Sequence, residues 1–175
     1  GSDGILLGPL TAEKGEMSLR IFNPDGSEAE KSGNGLRIFT RYLWEQQNGR
    51  QQKFTIKTIG GLVQAEVQSK GKNISVAMGQ VSFDSRRIPV AGTNREVLNE
   101  EMEVLGETLS FSAATIGNPH CVILREQISP EETRRLGLSI ETDPRFPNRT
   151  NVQFLKILDR NNIQIEIWER GAGYT

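Results

Sequence analysis

One cysteine, Cys121, and one histidine, His120, are the whole supply of thiol and imidazole in these 175 residues. A single thiol excludes an internal disulfide framework and a thiol-rich metal site, and one histidine beside it leaves no zinc constellation of His and Cys. A Ser-His-Asp site would have to use His120, yet no Gly-x-Ser-x-Gly elbow presents a serine to it. Neither a P-loop nor a Gly-x-Gly-x-x-Gly turn follows a strand. Cofactor-dependent chemistries lose ground together.

Charge of one sign is also missing. The net charge is −1, and the basic residues Arg86, Arg87, Arg134 and Arg135 occur as isolated pairs, so nothing points to nucleic acid or a membrane surface. No apolar run approaches a membrane span and no charged-then-apolar leader precedes the first strand, which makes the cytoplasm the expected compartment. What is present is 35% hydrophobic residues, enough to bury a core in one domain or two small ones.

The chain is organised around Asn23 to Arg37. Met17 to Asn23 alternates as a strand and runs into a Pro24-Asp25-Gly26 turn. Ser32-Gly33-Asn34-Gly35 then opens a helix whose apolar residues Leu36, Phe39, Tyr42 and Leu43 recur at spacings of three and four. Ser32 occupies the N-cap position, ahead of free backbone N–H groups and the positive end of the helix dipole, where small glycines let an anion approach. Such a place suits a carboxylate; a cap and tight turn with no ligand is the plain alternative.

That helix is expected to reach about Gln47 and to end at Asn48-Gly49. Phe54 to Ile59 and Leu62 to Val67 form a β-hairpin about Gly60-Gly61, and a turn at Lys70 to Asn73 leads into a strand from Ile74 to Met78. A single helix surrounded by antiparallel strands is the expected arrangement, with a polar loop from Pro9 to Gly15 before it. Ser85 to Asn99 reads as an exposed connection, and Glu103 to Phe111 as a strand pair broken at Gly106. Near Ala113 the chain turns small and apolar, which places a domain boundary between residues 112 and 113. Cys121 to Leu124 is a short buried strand, with Cys121 assigned to the core. Ser129-Pro130-Glu131-Glu132 starts a short helix that stops near Gly137. Asn151 to Leu158 and Ile163 to Trp168 are strands joined by a turn at Asp159 to Asn162.

Four segments carry a family resemblance. Phe22-Asn23-Pro24-Asp25-Gly26-Ser27-Glu28, the Ser32 loop, Gly117-Asn118-Pro119-His120-Cys121 and Trp168-Glu169-Arg170-Gly171-Ala172-Gly173 resemble, in order, the signature blocks of the diaminopimelate epimerase family. Gly1-Ser2-Asp3-Gly4 also fits that family's opening strand. The resemblance implies an α/β fold of two pseudo-symmetric halves, each with antiparallel-rich strands wrapped around a central helix, here residues 1–112 and part of a second half, 113–175. It implies isomerase chemistry without pyridoxal phosphate or other cofactor and without a metal. One thiolate takes the α-proton of an amino acid while a thiol delivers another from the opposite face, in bacterial lysine biosynthesis. A small-molecule amino-acid substrate, a cytoplasmic enzyme and a homodimer are the further implications, with no nucleic acid or membrane partner.

Residue by residue, the resemblance places Ser32 at the position of the first catalytic cysteine, which is the main departure. It gives substrate contacts to Asn23, Gly33, Asn34, Asn118 and Asn151, and makes His120 the histidine that tunes the thiol pair. Arg170 offers a planar fork for a carboxylate, and Glu169 accepts from the substrate ammonium or tunes a proton donor. Tyr174 stands where a glutamate is expected, and the second catalytic cysteine would lie past Thr175. A chain ending inside a turn reads as a fragment, expected to be inactive alone. Two other readings stay open: a family relative in which Ser32 leaves one effective base, acting as racemase, isomerase or dehydratase on another amino acid, and a catalytically silent amino-acid-binding homologue.

Overall fold

A computed structural model describes residues 2, 4–11 and 17–175. The chain divides into two compact units, Gly1–Gln80 and Val81–Thr175. In the first, strands β1 (Ile5–Thr11), β2 (Met17–Phe22), β3 (Glu28–Ala29), β4 (Lys53–Thr58), β5 (Gly61–Gln68) and β6 (Asn73–Ala77) form one sheet in the order β1-β2-β4-β5-β6, with β3 beside β2. Helix α1 (Gly33–Gln46) packs on β5 and β6. Alternation explains the strands: Leu19 and Ile21 of β2 and Val63, Ala65 and Val67 of β5 point inward and are buried, meeting Leu36, Phe39 and Leu43 of the helix. Each buried Val, Leu, Ile or Phe among them contributes roughly 1.5–3 kcal/mol of hydrophobic stabilisation.

Three expectations for this unit need correction. Pro9 lies inside β1 instead of opening a loop, tolerated because β1 is the sheet edge and its register shifts between Leu7 and Leu10. The rest of that expected loop, residues 12–15, falls outside the described residues, as do Gly1 and Asp3. Tyr42 is 45% exposed at the margin of the buried stripe, its ring stacked on Phe39 at 6.3 Å. The helix is also not ringed by antiparallel pairs alone, since β2 and β4 run parallel, Met17 opposite Ile56, with α1 in the connection between them.

The second unit holds β7 (Glu100–Val104), β8 (Glu107–Thr115), β9 (Pro119–Leu124), β10 (Asn151–Ile157), β11 (Ile163–Glu169) and β12 (Gly173–Tyr174), in the sheet order β12-β11-β10-β9-β8-β7. Helix α2 (Pro130–Glu141) packs against β10, β11 and β12. Leu105 and Gly106, both at positive φ, turn β7 into β8. The expected division at 112/113 differs from the observed one because β8 runs unbroken from Glu107 to Thr115, pairing with β7 up to Phe111 and with β9 from Phe111 onward. Ser85 to Asn99 is not an exposed connection either: Ile88, Val90 and Val97 enter the second core.

Helix α2 passes Gly137 and ends at Glu141. Gly137 is there for packing: a Cβ on it would fall 2.5 Å from the Trp168 indole, so the absent side chain is what lets the ring lie on the helix.

Candidate functional site

In the first unit, Ser32 has extended backbone angles and its Oγ accepts from the Gly35 N–H at 3.1 Å, the N-cap geometry expected from sequence. Ser32 O takes the Leu36 N–H at 2.8 Å. Between these, the N–H groups of Gly33 and Asn34 have no hydrogen-bond acceptor among the described residues, leaving two donors at the positive end of α1. Asn34 is exposed, and its side-chain oxygen accepts from Arg37. Asn23 is committed to its turn, its Nδ2 donating to Ser27 Oγ at 3.1 Å and its N–H to Ser27 O at 2.8 Å.

In the second unit, one end of the sheet gathers Asn118, His120, Asn151, Glu169 and Arg170. The parallel register sets His120 directly beside Asn151, and the antiparallel register of β10 with β11 brings the end of β11 alongside. Asn151 ties the group together, with Nδ2 donating to Pro119 O at 2.9 Å and Oδ1 accepting the Arg170 N–H at 3.0 Å. Arg170 Nη1 donates to Asn148 O at 3.1 Å. Glu169 is half-buried at the mouth of a turn closed by Ala172 N–H to Glu169 O at 3.1 Å. His120 Nε2 is 3.1 Å from Asn118 Oδ1, and Nδ1 is 3.1 Å from Gln153 Nε2. Burial pushes the imidazole below its ordinary value of 6.5 and the Arg170 charge adds to this; the Gln153 carboxamide opposes it only when its oxygen faces the ring. Burial also pushes the Cys121 thiol far up, which leaves an inert core residue and bears out its assignment to the interior.

Two residues of this cluster went unnoticed in the sequence. Gln153 is one. The other, Glu141, is 1% exposed at the last residue of α2, where the helix dipole disfavours an acid. Three donors hold it there: Trp168 Nε1 at 2.6 Å, the Gly171 N–H at 2.9 Å and the Arg149 guanidinium. Two of the three flank Glu169 and Arg170, so Glu141 fixes the turn that presents them. An acid at the wrong end of a helix, beside an apolar stripe, was the available signal.

Among the described residues no cluster of three His, Cys, Asp or Glu could hold a metal ion, and no helix is long and apolar enough to cross a membrane.

The sequence model of the family described as Diaminopimelate epimerase matches residues 1–83 and 112–175. The whole chain is 60% identical to diaminopimelate epimerase 2 of Nostoc sp. over 175 residues, 61% of that protein. It is 39% identical to the diaminopimelate epimerase of Moorella thermoacetica over 178 aligned residues, 63% of that protein. The chain thus spans a little over three-fifths of the length of these relatives. Among solved structures, a probable proline racemase from Agrobacterium radiobacter superposes on 98% of the chain and 54% of its own, with TM-score 0.67 at 15% identity, which shows a shared fold.

Proposed function

The chain belongs to the diaminopimelate epimerase family, and from that premise we propose that it is part of a cofactor-independent isomerase interconverting LL- and meso-diaminopimelate in lysine biosynthesis. The α-proton of an amino acid is a very weak acid, so its removal needs fixed donors that stabilise the carbanion in a dry site. The observation that carries the reading is the start of α1, where Gly33 and Asn34 hold two uncommitted N–H donors at a helix N-terminus, a receiver for an α-carboxylate. Asn23 lies at the end of the strand leading to it. In the second unit Arg170 is assigned to the substrate carboxylate, Asn118 and Asn151 to polar substrate contacts, His120 to tuning the proton-transfer pair, and Glu169 to the substrate ammonium.

Ser32 is the difficult member. Its hydroxyl is a far weaker acid than a thiol of pKa about 8.5, and its oxygen already accepts from Gly35, so it abstracts a proton only with help from another base. That cap favours, as a second reading, a one-base relative whose thiol comes from elsewhere in the protein. The test uses the full-length protein containing residues 1–175, each diaminopimelate stereoisomer, and D2O. Deuterium at Cα with inversion is expected. Exchange or elimination from one stereoisomer alone would establish the one-base reading, and binding without exchange a silent amino-acid-binding homologue. A cytoplasmic homodimer belongs to the same proposal, and sedimentation of the full-length protein measures its mass.

A further inference from the structure

We propose that Gln153 is the positioning residue of His120, holding the ring as the neutral Nε2–H tautomer and leaving Nδ1 as the nitrogen at which a proton enters. A neutral imidazole carries one N–H and one bare nitrogen. Asn118 Oδ1, 3.1 Å from Nε2, can only accept, so Nε2 carries the hydrogen. Gln153 Nε2, 3.1 Å from Nδ1, can only donate, so Nδ1 is bare. The two contacts agree on one tautomer. Asn151, the strand neighbour of His120, directs its carboxamide to Pro119 O and the Arg170 N–H and makes no hydrogen bond to the ring.

Gln153 has a second property. Its Oε1 is buried and has no hydrogen-bond partner among the described residues. An orphaned buried acceptor is costly, yet this one gains a partner by a half-turn of the carboxamide, which points Oε1 at Nδ1. That orientation suits only a ring protonated at Nδ1. One side chain therefore serves both states of the ring, donating to it when neutral and accepting from it when charged. Burial disfavours the charged ring at rest, and the Arg170 charge adds to it. Under the epimerase reading, the ring that tunes the proton-transfer pair is then neutral at rest, with Nε2–H on Asn118 and Nδ1 facing Gln153.

Because His120 is the one histidine in residues 1–175, histidine-selective 15N labelling of this chain gives a single ring pattern. Two-bond proton–nitrogen spectra above pH 7 are expected to show a protonated Nε2 and a bare Nδ1. A protonated Nδ1 in the unaltered chain would overturn the proposal, whatever any variant does. Gln153→Glu replaces the donor with an acceptor, so the tautomer is expected to switch to Nδ1–H and the ring's titration midpoint to rise by about 1–3 pH units. A folded Gln153→Glu chain with the original pattern would overturn it equally. The ring spectrum needs no turnover, so absence of diaminopimelate exchange leaves this inference standing, and a wrong tautomer leaves the epimerase reading standing.

Discussion

Replacing Glu141 tests the architecture of the second unit most directly. Glu141→Ala strips a carboxylate that is 1% exposed from three donors at once, two of them, the Trp168 indole N–H and the Gly171 amide, on either side of Glu169 and Arg170. Removing one member of a buried charged group costs about 3–5 kcal/mol, because the partners are left dry and unpaired. Arg149 reduces the loss, since its side chain is 38% exposed and can turn to water. Glu141→Gln keeps one acceptor but presses an NH2 against a donor, so about 1–3 kcal/mol is expected. In a unit of this size each kcal/mol lowers Tm by roughly 4–8 °C, which puts the alanine variant more than 10 °C below the parent. Thermal unfolding by circular dichroism reads the loss, and Trp168 emission in a Trp44→Phe background reads the turn. A Glu141→Ala chain within about 1 kcal/mol of the parent with unchanged Trp168 emission would show that the carboxylate does not hold the turn.

Further outcomes follow from other contacts. Gly137→Ala drives a methyl to 2.5 Å from the Trp168 ring, and a loss of about 1–3 kcal/mol in urea unfolding is expected; a neutral result would mean that the indole does not lie on α2. Ser32→Ala removes the cap of α1 and is expected to cost about 0.5–2 kcal/mol, read from the urea midpoint of the first unit, with no loss refuting the cap. The folded value of His120 lies below 6.5, so the unfolded chain binds the extra proton first as pH falls. The contribution to stability is therefore complete above pH 6.5 and is lost below it, toward the folded value. Proton NMR of the single imidazole should titrate below 6.5, and a midpoint above it contradicts the burial argument.

Periodic elements were legible because their signals are local. The α1 stripe, the Asn48 and Gly49 stop at positive φ, and the β4–β5 and β7–β8 hairpins each rest on a few neighbouring residues. The errors came where a residue's meaning depends on a distant partner. Gly137 reads as a helix stop until Trp168, far along the chain, is seen lying on it. Ile88, Val90 and Val97, lacking any period, read as loop although they fill the second core. The parallel register of β2 with β4 and of β9 with β10 has no local signature either. The same holds for the candidate site: Asn118, His120, Asn151 and Arg170 stand out through their motifs and lie together at one end of the sheet, whereas Glu141 and Gln153 join them only through atoms brought to them by the fold.

The pairing of β9 with β10 also dictates an order of assembly. The β7–β8 ribbon closes across Leu105 and Gly106, whereas β9 reaches β10 only after residues 125–150 have doubled back through α2, a slower search by loop entropy. Asn118 and His120 come from before that join, Asn151 and Arg170 from after it. Early hairpins in a growing chain hold the Asn118–His120 contact but none of those that tie this pair to Asn151 and Arg170, so the fold completes its framework before this cluster, and pulse-labelled amides at Arg170 should gain protection later than those of β8.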